Sequence, residues 1–201
     1  MAGPSVYLFW DNSNIYIPAQ NVAAKREGIH APKAVRIQFD NLRQLAVAGR
    51  TLGAAVCVGS IPPDMKELWD RLRKTGVKVE LFERGGESGQ EQGVDQCLQV
   101  HILRAGLDNP DPQIAVLLTG DGKGYLDGVG YHADIERLQK RGWGVEVLSW
   151  DVACNARLRQ WATNNGVYVP LESFYDSVTF LEGSRKVKPL NLTHRKKATV
   201  T

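Results

Sequence analysis

The sequence predicts a doubly wound α/β domain. Five short apolar runs, each closed by turn or charged residues, alternate with segments whose apolar residues recur at helical spacing. Three of the runs are nearly continuous in apolar character, which suits strands covered on both faces of a parallel sheet. At 201 residues the chain is long enough for one domain with a sizeable core and short appendages.

The runs are Ser5–Trp10, Gly53–Gly59, Val77–Phe82, Gln113–Thr119 and Gly144–Trp150. The first, second and fourth are the continuous ones. The third and fifth alternate more, as edge or near-edge strands do. Helices are expected over Pro32–Val47 (apolar at Val35, Ile37, Leu42 and Leu45), Asp64–Thr75, Gly93–Ala105, His132–Lys140 and Val152–Thr163. Pro62-Pro63 fits the first turn of the second helix, and Asn165-Gly166 ends the last. Right-handed crossovers would join these units. The residues after the first strand read as a long connection carrying Lys25, Arg26 and Lys33, and Ser177–Leu181 reads as a short β-like stretch.

Charge divides the chain in two. It has 25 Lys and Arg against 22 Asp and Glu, a formal net charge of +3. Six of those bases (Arg185, Lys186, Lys188, Arg195, Lys196 and Lys197) fall after residue 183, where there is no acid. The body is therefore slightly acidic. Residues 1–183 are expected to form the domain and residues 184–201 a basic, disordered tail. Such a tail either holds a polyanion without specifying it or simply stays solvated.

No apolar run approaches the roughly 20 residues of a membrane helix. The opening residues, Met1 to Asp11, have no basic region ahead of their apolar stretch and do not read as a signal peptide, so a cytoplasmic location is expected. Cys57, Cys97 and Cys154 have no zinc spacing and are expected to be structural. His30, His101, His132 and His194 likewise show no ligand spacing, and His101 reads as a packed or surface residue.

The informative acids sit where strands end. The first strand runs into Asp11-Asn12-Ser13-Asn14 and the fourth into Thr119-Gly120-Asp121-Gly122. In open α/β sheets ligands bind beyond the carboxyl ends of the strands, at the switch in strand order. If those two strands are neighbours, Asp11 and Asp121 lie side by side, and two close carboxylates call for a proton or a cation between them. Hard oxygen donors suit Mg²⁺ or Mn²⁺. Asp95, in Gln92-Gly93-Val94-Asp95-Gln96 at a helix start, either caps that helix or points at the same ion.

These three motifs, in this order and spacing, resemble the NYN family of PIN-like ribonucleases over roughly residues 5–150. The resemblance implies a Rossmann-like, PIN-like fold with a parallel five-stranded sheet of order 3-2-1-4-5. It also implies an acidic pocket for Mg²⁺ or Mn²⁺ and hydrolysis of RNA phosphodiester bonds. Residue by residue, the family's metal-binding and catalytic aspartates correspond to Asp11, Asp95 and Asp121, and its motif asparagine to Asn14. The family commonly has another aspartate two residues beyond the position of Asp121, where this chain has Lys123. Asp127 or Asp134, in an extended loop, is then the candidate for the missing acid. Asp127 is favoured, because a first-turn structural role explains Asp134. Lys123 becomes a candidate phosphate ligand.

The expected chemistry is metal-assisted hydrolysis. Asp11 and Asp121 ligate the ion, Asp95 and Asp127 complete the shell and take a proton, and Asn14 orients Asp11 or a phosphate. Single-stranded RNA is the expected partner, bound by a monomer or homodimer. Lys25, Arg26, Lys33 and Arg84 are candidate phosphate contacts, Tyr16 and Tyr125 candidate stacking residues in loops. Asp151 is a candidate cap for the helix that follows it. A catalytically weakened RNA-binding or scaffold module is the alternative, favoured by Lys123. The loop at residues 120–130 lacks the spacing of a P-loop or a dinucleotide fingerprint. Ser13 stands where a dehalogenase-like phosphatase needs a second aspartate.

Overall fold

A computed structural model describes residues 3–60, 66–82, 93–120, 128 and 130–201. In chain order the elements are β1 (Val6–Asp11), α1 (Asn12–Glu27), α2 (Ala31–Ala34), β2 (Val35–Ile37), α3 (Phe39–Val47), β3 (Leu52–Ser60), α4 (Lys66–Lys74) and β4 (Lys78–Phe82). There follow α5 (Val94–Asp108), β5 (Ile114–Leu118), α6 (Tyr131–Lys140), β6 (Gly144–Ser149), α7 (Ala156–Asn165) and β7 (Val167–Pro170). A 3-10 turn (Leu171–Phe174), α8 (Tyr175–Val178) and β8 (Thr179–Leu181) complete the set.

The main sheet has the order β4-β3-β1-β5-β6-β7, and every pairing in it is parallel. Its first five strands are those expected, in the expected order. The sixth, β7, extends the sheet beyond β6; Pro170 closes it at the edge, where a missing N–H costs no ladder bond. The order reverses between β1 and its neighbours β3 and β5, which makes the carboxyl end of β1 the switch point.

Strand alternation splits the core into two layers. Leu8 and Trp10 of β1, Ala55 and Cys57 of β3 and Val116 and Leu118 of β5 pack against α1, α3 and α4. Phe9, Val56, Val58, Ala115 and Leu117 face the other way, against α5, α6 and α7. Asp11, two residues after Phe9, shares the α5 side by the same period.

Three local expectations give way. The long connection after the first strand is α1, whose buried residues Ile15, Pro18, Ala19, Val22 and Ala23 follow helical spacing. Tyr16, Lys25 and Arg26 therefore stand on a helix and not in a loop. The helix expected over Pro32–Val47 is broken into α2, β2 and α3, because Val35 and Ile37 alternate with Arg36 as a strand does and pair antiparallel with β8. The last major helix starts at Ala156, capped by the Asn155 side chain, which accepts from the backbone of Arg157 and Leu158. Asp151 instead accepts a hydrogen bond from the Tyr168 hydroxyl at 2.9 Å.

The C-terminal segment is not the disordered tail its composition suggests. Arg195 is buried and donates to Glu146, and the Ala198 amide donates to the same carboxylate at 2.7 Å. Arg50 completes the arrangement with two bonds to Glu146, at 2.6 and 3.0 Å. The Thr201 amide bonds the Gly142 carbonyl at 2.9 Å. A side chain at Gly142 would meet the Thr201 carbonyl at 2.6 Å, so the segment lies flat only because no Cβ stands there. Arg185 pairs with Glu27, and Lys188 with Asp176. Half of the segment's bases are thus engaged within the chain, and the physical reason is the set of carboxylates waiting on the body.

Candidate active site at the carboxyl ends of the strands

Asp11 is the last residue of β1 and the N-cap of α1, so one residue ends a strand and starts a helix. It is only 2% exposed. Asn14 holds it from one helical turn away. The Asn14 backbone amide donates to Oδ1 at 3.1 Å and its side-chain Nδ2 donates to Oδ2 at 2.5 Å. Asn14 thus places one donor on each oxygen and orients the carboxylate. Its negative charge is felt on the neighbouring strand: burial, and secondarily Asp11, pushes the Cys57 thiol well above its ordinary value.

Strand register brings the other motif alongside. Trp10 pairs with Leu118, so Thr119 and Gly120 leave the sheet beside Asp11. Thr119 is buried, and a Cβ on Gly120 would come within 2.6 Å of the Ser149 hydroxyl and 3.3 Å of the Ala153 carbonyl. The Gly120 carbonyl accepts from the Asn155 amide at 2.8 Å. The exit from β5 is thereby clamped against the connection between β6 and α7. Asp121, Lys123, Tyr125 and Asp127 follow it and lie outside the described residues, as does Arg84.

Asp95 occupies the first turn of α5 and is half-buried. The helix begins there because Gly93 adopts φ +95°, a left-handed conformation, with Phe82 packed so close that a Cβ would touch it at 3.0 Å. α5 lies over the sheet face to which Asp11 belongs by alternation. Asp134, the weaker candidate for the missing acid, is buried in the first turn of α6. One of its oxygens accepts from Arg137 Nη1 at 2.7 Å and the other from Gln99 Nε2 at 3.1 Å. The Arg137 bond lies within α6, and the Gln99 bond ties α6 to α5.

Of the candidate RNA contacts, Arg26 donates to the Glu172 carbonyl and stacks over Tyr175. Arg185 stacks over the same ring. Both guanidinium groups are engaged in packing α1 against the C-terminal region.

The structure also assembles a group that spacing alone does not reveal. Glu80 of β4 and Cys97 and His101 of α5 bring one carboxylate oxygen, Sγ and a ring nitrogen within 4.8 Å of one another. Cys97 Sγ donates to Glu80 Oε2 at 2.8 Å, and His101 Nε2 lies 2.9 Å from Glu80 Oε1. Lys78 Nζ reaches that Oε1 at 2.5 Å. The thiol bond and then the lysine hold the Glu80 carboxyl down at about 2. Burial and then the carboxylate push the Cys97 thiol up to about 12. His101 is thus packed, as its position on the helix suggests, with Glu80 as a partner that the sequence does not indicate. The only hint in the sequence is that Cys97 and His101 stand four apart on a helix, which places them on one face.

Among the described residues no helix is long and apolar enough to cross a membrane. The family model of the NYN domain matches residues 5–165. No curated protein is matched.

Proposed function

The chain belongs to the NYN family, a nuclease-type family, and from that premise we propose that it is a metal-dependent ribonuclease acting on single-stranded RNA in the cytoplasm. The observation that carries this reading is the position of Asp11. It is buried at the switch point, oriented by Asn14, beside the chain exit that leads to Asp121 and on the sheet face covered by the helix of Asp95.

An all-carboxylate set at this point fits a hard divalent cation such as Mg²⁺ or Mn²⁺ better than a soft one. Asp11, Asp95 and Asp121 would hold it. When bound, such an ion lowers the pKa of a water and neutralises phosphoryl oxygens. Asn14 keeps Asp11 in one rotamer, so the ligand geometry is set before substrate arrives. Asp127 accepts the proton of the attacking water, and Lys123 binds a phosphate oxygen of the substrate. The alternative, an RNA-binding module with weakened catalysis, draws its support from Lys123 standing where the family commonly has an acid.

Labelled single-stranded RNA incubated with Mn²⁺, Mg²⁺ or EDTA separates the two. Cleavage by the wild type only with metal, and its loss in Asp11→Asn and Asp121→Asn, is the expected result. RNA retention without cleavage under every metal condition favours the binding module. Undiminished cleavage by Asp11→Asn would sink the site assignment.

A further inference from the structure

We propose that Glu80, Cys97 and His101 form a second cation site, separate from the carboxylate site and selective for a thiophilic divalent ion such as Zn²⁺. The donor set is the argument. One thiol, one imidazole and one carboxylate are ligand types found together on Zn²⁺ and unsuited to Mg²⁺. Their atoms already lie within 4.8 Å of one another. Zn²⁺ bonds of about 2.0–2.3 Å hold tetrahedral ligand atoms roughly 3.3–3.8 Å apart, so the two hydrogen-bonded contacts at 2.8 and 2.9 Å open by about 1 Å or less to admit the ion and any wider pair closes by a similar amount.

The backbone supplies the rigidity such a site needs. Cys97 and His101 are separated by one helical turn in the first half of a 15-residue helix, and Glu80 stands on the strand beneath it. Two ligands from one helix and one from a strand fix three corners of a tetrahedron. The His101 and Glu80 side chains are partly exposed, at 18% and 27%. His101 and Lys78 also line an open groove of about 420 Å³ together with Tyr7, Arg104 and Asn109, so water can complete the coordination.

Lys78 occupies the place of a cation now, at 2.5 Å from Glu80. Its side chain is 62% exposed and can swing into solvent when the ion arrives. The balance of the step is simple: the ion binds the Cys97 thiolate, the thiol proton leaves to solvent, and the lysine ammonium is released to water.

The site is distinct from the one at Asp11. Val58 pairs with both Asp11 and Glu80, on opposite sides of β3, so Glu80 lies two strand spacings away, roughly 10 Å. Cys97 is two residues along α5 from Asp95. An ion at Glu80, Cys97 and His101 therefore pins the first half of α5 to the edge strand β4, and with it the backbone that carries Asp95.

The test uses Co²⁺ as a spectroscopic stand-in for Zn²⁺, added to the full-length protein after treatment with chelator. A thiolate-to-cobalt charge-transfer band should grow to saturation at one equivalent and be bleached by Zn²⁺. Cys97→Ser should remove the band, while Cys57→Ser and Cys154→Ser keep it. His101→Ala should weaken binding by at least about 10–100-fold, the loss seen even when a partner behind a metal ligand is removed. Asp11→Asn should leave the band unchanged, which separates this site from the proposed catalytic one. Zn²⁺ should raise the unfolding temperature of the wild type and not of Cys97→Ser. Absence of the band in the wild type, or its persistence in Cys97→Ser, would overturn the proposal.

Discussion

Replacing Glu146 by Gln should be among the most damaging single changes in this chain. Glu146 is fully buried on β6 and accepts four hydrogen bonds, two from Arg50, one from Arg195 and one from the Ala198 amide. The Arg195 side chain is fully buried and that of Arg50 is 14% exposed. Burial pulls the Arg195 guanidinium below its ordinary value, while Glu146 pushes it back. Glutamine keeps the volume and removes the charge, leaving two cations facing each other out of water. Stranding one buried charge typically costs about 3–5 kcal/mol. A domain of this size has about 5–15 kcal/mol in total, so roughly a fifth or more of the stability is at stake. At about 2–4 °C per kcal/mol, the unfolding midpoint should fall by roughly 6–20 °C. Urea unfolding followed by far-UV circular dichroism measures the loss, and limited proteolysis shows whether residues after 183 become cleavable. Arg195→Met should cost less, because Glu146 retains both bonds from Arg50. Replacing Glu146, Arg50 and Arg195 together by Met should recover much of the loss, since a hydrophobic set of similar volume often matches a buried ion cluster. If Glu146→Gln lies within about 0.5 kcal/mol of the wild type, the range of an ordinary surface change, the buried cluster does not hold the segment as described.

Other outcomes follow from the same geometry. Asn14→Ala removes the side-chain bond to Asp11 but keeps the backbone one, so RNA cleavage should fall by about 10–100-fold while the urea midpoint moves by about 1 kcal/mol or less; a loss of fold with the loss of activity would contradict a positioning role. Gly93→Ala forces a Cβ into a left-handed residue against Phe82, and should cost about 1–3 kcal/mol in urea unfolding. Because the Glu80 carboxyl is lowered from 4.5 to about 2, its contribution is full above about pH 4.5 and is lost as pH falls toward 2; Glu80→Gln should flatten that acid limb of stability measured against pH. The Cys97 thiol is raised from 9.0 to about 12, so its contribution is full below pH 9 and lost as pH rises, and Cys97→Ser should remove that alkaline slope.

The strands were legible because burial on both faces leaves continuous apolar runs such as Tyr7–Trp10 and Ile114–Leu118, and their order followed from the family resemblance. α1 was hidden although its period was present: Ile15, Ala19 and Val22 repeat as a helix requires, but Pro18 and the run of Asn and Ser before it read as turn chemistry. β7 does not show in the sequence for a related reason, since four residues ending in Pro170 make too short a pattern to stand out from a loop. β2 reads as helix in sequence because Val35 and Ile37 fall next to Leu42 and Leu45, and only pairing with β8, more than 140 residues away, decides between the periods.

Local order along the chain expresses the parallel α/β class and the acids placed where strands end, with Asp11 foremost. Packing in three dimensions settles what depends on distant partners. It took Glu146, a polar residue in an alternating strand, into the interior because Arg50 and Arg195 arrive from either side of it along the chain to neutralise it. It turned a basic tail into a packed segment by the same contacts. It joined His101 and Cys97 to Glu80, which no spacing along the chain connects. In each case the deciding term is a charge or a hydrogen-bond donor whose partner is remote in sequence, and a one-dimensional pattern carries apolar period far better than it carries pairing.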